Sequence, residues 1–193
     1  KRLPVAAGIG GGSSDAAATL RALDRFWGLG LSEERLAELG LSLGADVPMC
    51  LRRQPVFVGG IGEDLSDAPE LPPLSLVLVN PGVPVETPTV FKARTGVFSK
   101  QARFKGPIED EAALAKLLKD RTNDLTDAAI SIAPVIKNVL HAIDDQPGCL
   151  LARMSGSGAT CYGIFTDSAS ADTARKAIHT AQSQWWVDSM MVF

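Results

Sequence analysis

The sequence predicts an α+β protein of two domains, and three observations lead there. A run of small residues, Ala6-Ala7-Gly8-Ile9-Gly10-Gly11-Gly12-Ser13-Ser14-Asp15, feeds directly into apolar residues at helical spacing. Further along, the apolar period shortens to that of β-strands at Pro55-Val56-Phe57-Val58 and Leu74-Ser75-Leu76-Val77-Leu78-Val79. Between those two runs Pro69, Pro72 and Pro73 mark a boundary that divides residues 1–70 from 71–193.

Each element has its own signal. Ala16, Leu20, Leu23 and Trp27 step along one helical face, Ser13 or Ser14 supplies the expected N-cap, and Gly28 with Gly30 ends the helix. A second helix is capped by Ser32, carries Glu33 and Glu34 in its first turn and Leu36, Leu39 and Leu43 on its buried stripe, and stops at Gly44. After Asp46-Val47-Pro48 the strands begin, with Gly59-Gly60-Ile61-Gly62 as the turn between the two runs named above. Thr87-Pro88 reads as a cap followed by proline at the first helical position. Residues 108–119 and 125–143 are helical in period, the latter interrupted at Pro134. Residues 149–154 and 159–165 read as strands joined by Ser155-Gly156-Ser157-Gly158, followed by a helix over 169–181 and a last strand over 185–193, in which Trp185 and Trp186 serve packing or surface.

Composition excludes several classes of function. The chain has 19 Lys and Arg against 22 Asp and Glu in 193 residues, a net charge of −3, and no sequence cluster of basic residues, so nucleic acid is not an expected partner. Its longest apolar runs, such as 76–79, fall far short of the ~20 residues of a membrane-spanning helix, so no membrane role is expected. Cys50, Cys149 and Cys161 form no C-x-x-C pair and read as reduced thiols of a cytoplasmic protein. His141 and His179 are far apart in sequence and give no local metal-ligand pair, and no protein metal ligand is assigned. The chain opens at Lys1 with neither an initiator Met nor a targeting segment, and reads as a piece of something longer.

The glycine-serine run carries the strongest chemical signal. Exposed backbone N–H groups at the start of a helix, aided by the helix dipole, attract phosphate, and glycines let an anion approach the backbone closely. Familiar phosphate patterns fail by position. A Walker loop needs Lys where Ser13 follows Gly12, and a G-x-G-x-x-G fingerprint started at Gly8 or Gly10 meets Ser13 or Asp15 at its sixth place. A hydrolase elbow fails because Gly11-Gly12-Ser13-Ser14-Asp15 lacks its last glycine. By residue type alone several alternatives stay open. Asp46 reads equally as a turn aspartate stiffened by Pro48, Asp15 as a charge favouring the helix dipole, the Ser155–Gly158 run as a hairpin turn, and Phe91 as a core residue.

The phrase from Pro4 through Gly8-Ile9-Gly10-Gly11-Gly12-Ser13-Ser14-Asp15-Ala16-Ala17-Ala18 resembles the second motif of the GHMP kinases, the superfamily of galactokinase, homoserine kinase and mevalonate kinase. Further phrases extend the resemblance along the whole chain. Leu43-Gly44-Ala45-Asp46-Val47-Pro48 is similar to the catalytic-aspartate phrase, and Pro81-Gly82-Val83 with Thr87-Pro88 and Phe91 to a substrate-side segment. Asn123-Asp124-Leu125 is similar to an N-D-L helix start, and Met154-Ser155-Gly156-Ser157-Gly158-Ala159-Thr160 to the third motif. Their order and spacing resemble most the branch that phosphorylates a hydroxyl of a cytidine diphosphate-linked methylerythritol in the non-mevalonate isoprenoid pathway.

The resemblance implies a GHMP kinase fold: an incomplete N-terminal nucleotide-binding domain, then a ferredoxin-like C-terminal domain. It implies ATP as co-substrate with Mg2+, a cytidine diphosphate-linked small molecule as partner, and a monomer or homodimer. It makes Asp46 the catalytic residue, orienting the attacking hydroxyl. Gly8, Gly10, Gly11, Gly12, Ser13 and Ser14 would cradle ATP phosphates, with Ser155, Gly156, Ser157 and Gly158 closing beside them. Phe91 would stack on cytosine, with Thr87 and Pro88 shaping its pocket. The family's opening strands and the lysine paired with its aspartate have no counterpart here, and Lys1 is not that lysine, so these 193 residues alone are expected to be poorly active. Two other readings stand beside this one: a homoserine- or mevalonate-type kinase, and a non-catalytic nucleotide-binding module.

Overall fold

The computed structural model describes Pro4 and residues 8–192. Lys1, the Ala6-Ala7 start of the small-residue run and Phe193 at the end of the expected last strand lie outside the described residues. The chain divides into two compact units. One comprises Gly10–Glu70 with Arg103–Pro107, and the other Leu71–Ala102 with residues 108–192 and with Gly8 and Ile9.

The first unit packs three helices and a hairpin. α1 (Gly11–Trp27) starts behind Gly10, whose φ of 65° lets the chain turn into the helix, and ends at Gly28, whose N–H reaches the carbonyls of Arg25 and Asp24. The expected serine cap is therefore corrected. Ser13 and Ser14 lie within the helix, no side chain caps it, and the Ser14 N–H bonds the Gly10 carbonyl at 2.8 Å. A left-handed glycine starts the helix earlier than a serine cap would have. α2 (Glu33–Leu43) has the expected Ser32 cap, which accepts from the Arg35 N–H, and closes at Gly44. α3 (Val47–Arg52) was absent from the sequence reading, because six residues carrying Pro48 show no periodicity.

Ala17, Leu36, Val47 and Leu51 form the buried centre of this unit, joined by Ala16, Leu20, Leu31 and Cys50. Trp27 and Leu43, placed by spacing on buried stripes, are both 61% exposed. Each is the last residue of its helix, beyond the reach of that small core. Arg21 on α1 grips both oxygens of Glu33 and also donates to the Leu51 carbonyl, tying the three helices together. β1 (Val56–Gly59) pairs antiparallel with β2 (Asp64–Asp67), so Gly59–Gly62 turns into β2 rather than leading to residue 74. The polar sequence Asp64-Leu65-Ser66-Asp67 hid that strand. Residues 103–107 clip onto this hairpin: the Phe104 ring meets Phe57 edge-on at 5.3 Å, and Arg103 donates to Ser66 Oγ.

The second unit is a four-stranded antiparallel sheet with helices. β3 (Leu74–Asn80) precedes α4 (Thr87–Ala93), α5 (Glu111–Lys119), α6 (Thr126–Ile132) and α7 (Val135–Asp144). Then β4 (Cys149–Met154), β5 (Cys161–Phe165), α8 (Ser168–Ala181) and β6 (Trp186–Val192) follow. The strand order β4-β5-β3-β6 is that of a ferredoxin-like sheet, with β3 and β5 central. Val77, Val79, Ile136, Val139, Ile143 and Phe165 are wholly buried between sheet and helices, each contributing roughly 1.5–3 kcal/mol. Pro134 breaks the 125–143 stretch into two helices, as expected. Trp185 is buried against this core and precedes β6.

Candidate active site

Among the described residues nothing is built across the helix start that the glycine loop presents, and neither Gly10 nor Gly12 has a heavy atom within 4 Å of where a Cβ would stand. The first N–H groups of α1 have no intrahelical acceptor, since the Ser14 N–H is the first to find one at the Gly10 carbonyl. The helix that follows is 17 residues long, and its dipole adds to those donors. This is the donor chemistry a phosphate accepts. Asp15 sits at the fifth helical position, beyond the first turn where a carboxylate best complements the dipole.

Gly8, on the other side of Ile9, is held in the second unit by the Ser155–Gly158 turn. Ser155 Oγ donates to the Gly8 carbonyl at 2.7 Å, and a Cβ on Gly8 would stand 2.7 Å from the Ser155 carbonyl oxygen and 2.8 Å from that of Gly158. With φ at 71° as well, only glycine fits there. Three further side chains, of Asn123, Thr87 and Asn80, fix the turn and the residues flanking it. Asn123 Nδ2 donates to the carbonyls of Met154 at 3.0 Å and Gly156 at 2.8 Å, while its Oδ1 accepts from the Leu125 N–H. Thr87 Oγ1 and Ser157 Oγ are 2.7 Å apart. Buried Asn80 donates to buried Thr160 at 2.9 Å and accepts from the Gly82 N–H at 2.8 Å.

The structure thus brings Gly8, the Ser155–Gly158 turn and the Thr87 end of α4 together. The expected Thr87 cap is corrected: Glu86 occupies the cap position without a side-chain bond, Thr87 is the first helical residue, and its hydroxyl serves Ser157 instead. Phe91 is one turn on and 52% exposed, whereas its neighbour Val90 is wholly buried, so Phe91 is not a core residue. Pro88 is exposed beside it. Asn80, Asn123 and Thr160 had no assigned site role in the sequence, although each stands within or next to a motif phrase and is a hydrogen-bonding residue.

Asp46 belongs to the first unit, at the position preceding α3. Its backbone caps the helix but its side chain does not, and among the described residues its exposed carboxylate makes no hydrogen bond. The carboxylate is therefore uncommitted to structure. Gly62 at the β1–β2 turn presses on the Ala45 carbonyl so closely that no Cβ fits, which fixes the backbone just before Asp46. Burial, with the Asp46 charge as a lesser cause, raises the pKa of the Cys50 thiol. Burial also pushes Cys149 up to about 11 and Cys161 up to about 12, so these thiols stay protonated at neutral pH and are poor nucleophiles. Among the described residues no group of three His, Cys, Asp or Glu is placed to hold a metal ion, and no helix is long and apolar enough to cross a membrane.

Comparison with known proteins defines the class first. Residues 1–54 match the model of the GHMP kinases N terminal domain and residues 104–183 that of the GHMP kinases C terminal. A 4-diphosphocytidyl-2-C-methyl-D-erythritol kinase of Paramagnetospirillum magneticum is 54% identical over 97% of this chain and 66% of its own length. Its namesake in Rhodospirillum rubrum is 52% identical over 98% of this chain and 62% of its own. A crystal structure of a 4-(cytidine 5'-diphospho)-2C-methyl-D-erythritol kinase superposes with a TM-score of 0.76 at 32% identity, covering 100% of this chain and 69% of that one. The chain belongs to the 4-diphosphocytidyl-2-C-methyl-D-erythritol kinase family of the GHMP kinases. It spans 62–66% of the length of the two curated relatives named above.

Proposed function

We propose that this chain carries phosphoryl-transfer machinery that moves the γ-phosphoryl group of ATP onto a hydroxyl of 4-(cytidine 5'-diphospho)-2-C-methyl-D-erythritol, a step of the non-mevalonate isoprenoid pathway. The observation that carries this reading is the 54% identity, over 97% of the chain, to a kinase named for that substrate. The site chemistry supports it independently. Phosphoryl transfer needs positioning and charge stabilisation more than covalent chemistry, and a glycine-lined helix start together with an uncommitted carboxylate supplies parts of both kinds.

In this reading the ATP phosphates lie against Gly10, Gly11 and Gly12, where Gly10 and Gly12 have space at the Cβ position, Gly8 anchors the approach to them, and the first N–H groups of α1, which have no intrahelical acceptor, donate to them. Ser13 and Ser14 keep their hydroxyls free of capping and offer them to the same anion. Mg2+ would neutralise phosphate charge when bound, and the Ser13 or Ser14 hydroxyl would be its ligand from this chain. Asp46 accepts a hydrogen bond from the substrate hydroxyl and aims its oxygen at the phosphorus. The Ser155–Gly158 turn holds Gly8 in place, and Thr87, Pro88 and the exposed face of Phe91 receive the cytosine ring. In this reading the division into residues 1–70 and 71–193 separates a nucleotide-binding part from a ferredoxin-like part, with Gly8 and Ile9 packed on the latter and Arg103–Pro107 on the former.

Asp46→Asn separates this reading from a nucleotide-binding module without catalysis. A kinase loses turnover by ~10²-fold or more while its affinity for ATP stays within about twofold, as expected when an interaction made chiefly in the transition state is removed. Unchanged turnover removes Asp46 from the mechanism.

A further inference from the structure

Folding gathers basic side chains that the sequence scatters. A cavity of about 500 Å3 in the second unit is lined by Arg94 after α4, Lys119 at the end of α5, Arg121 beyond it and Arg153 on β4, with Asp124 and Asp127 as its acidic members. Four cations against two carboxylates reverse the sign of a chain whose net charge is −3. The Asp124 carboxylate is moreover engaged, accepting from the Ser99 N–H at 2.7 Å and Ser99 Oγ at 2.9 Å.

These cations are oriented, and most lack a close carboxylate partner; the Ser99 hydrogen bonds lower the Asp124 pKa most, and the Arg94 charge acts on it only as a lesser cause. Among the described residues Arg94, Lys119 and Arg153 have no carboxylate within ion-pair distance. Arg153 is steadied by the Leu118 carbonyl at 2.9 Å, and Arg121 by the carbonyls of Ala102 and Leu117. Arg94 lies over the Phe98 ring at 3.6 Å and donates to the Gly96 carbonyl, while its Nε is buried and has no acceptor. Guanidinium groups held in place by carbonyls and a ring keep their remaining N–H donors for an acceptor-rich anion.

We propose that this cavity binds a compact small molecule carrying a diphosphate group. Its volume exceeds that of a lone phosphate, and its several separated cations match an extended polyanion. Asn123 and Met154, which hold the Ser155–Gly158 turn, line one side of it, whereas no residue of the glycine loop, of Asp46, of the Thr87–Phe91 face or of the turn itself does, so the ligand lies next to that turn and not on the residues assigned to ATP and the cytidyl substrate.

The test is calorimetric titration of inorganic pyrophosphate into the protein saturated with a non-hydrolysable ATP analogue, repeated with Arg153→Gln and Lys119→Gln. Lys119 is exposed, so its variant leaves the fold intact. One pyrophosphate binds per chain with the analogue present, and Kd rises about tenfold in Arg153→Gln and several-fold in Lys119→Gln, the order expected for losing one charge-assisted contact. No binding at millimolar pyrophosphate, complete displacement by the analogue, or an unchanged Kd in both variants overturns the proposal. Equal affinity for phosphate and pyrophosphate overturns the diphosphate assignment.

Discussion

Replacing Gly8 by alanine tests how the glycine loop is anchored. The added Cβ would stand 2.7 Å and 2.8 Å from two carbonyl oxygens, of Ser155 and Gly158, and no side chain can swing aside to relieve either contact. At a φ of 71° the alanine also enters the left-handed region, at a cost of about 1–2 kcal/mol. Overpacking against backbone adds roughly 1–3 kcal/mol. The sum, about 2–5 kcal/mol, corresponds to a fall in Tm of roughly 5–15 °C for a chain of this size. Because relief requires the loop to leave the turn and break the 2.7 Å bond from Ser155, the KM for ATP rises as well, by about tenfold or more. Thermal unfolding followed by circular dichroism, with steady-state kinetics on the same preparation, reads both quantities. A Gly8→Ala protein with Tm within about 1 °C of wild type and an unchanged KM for ATP refutes the packing argument.

Asn123 spends both amide hydrogens on the carbonyls of Met154 and Gly156, so Asn123→Ala costs about 1–3 kcal/mol in denaturant unfolding. Asn123→Asp costs more than Ala, since it turns a carboxylate toward those two carbonyls, and the reverse ranking contradicts the assignment. Asp124 is held below the usual carboxylate range by the Ser99 N–H and hydroxyl. A depressed folded pKa means that its contribution to stability is present above the unfolded value near 4 and is lost as pH falls through the folded value. A plot of Tm against pH therefore falls below about pH 4, and less steeply in Asp124→Asn. Identical acid limbs for the two proteins dismiss the Ser99 contact as a source of stability.

The parts legible in sequence are those whose signal is local. Gly28 and Gly44 end helices because a glycine stop acts on adjacent backbone, and the Ser32 cap with Glu33 and Glu34 behind it is equally self-contained. The start of α1 misled because serine is the stronger general cap, whereas here the left-handed Gly10 makes the turn. Asp64–Asp67 is a strand through pairing with β1, which its polar composition does not announce. Trp27 and Leu43 kept helical spacing but lie at helix ends with no core to meet. In the site, the glycine loop and the Asp46 phrase stand out as contiguous motifs. The roles of Asn80, Asn123 and Thr160 depend on partners as distant as Asn80 and Thr160 are from one another, and the basic cavity draws on side chains from Arg94 to Arg153.

The central claim is the identity of the phosphoryl acceptor. The chain, completed to the full length of its relatives, is supplied with ATP, Mg2+ and an equimolar mixture of 4-(cytidine 5'-diphospho)-2-C-methyl-D-erythritol, homoserine and mevalonate, and each alcohol is followed by mass spectrometry. The account predicts that the cytidyl compound alone gains a phosphoryl group. Phosphorylation of homoserine or mevalonate in its place contradicts the Thr87-Pro88-Phe91 assignment, and phosphorylation of none contradicts the kinase reading itself.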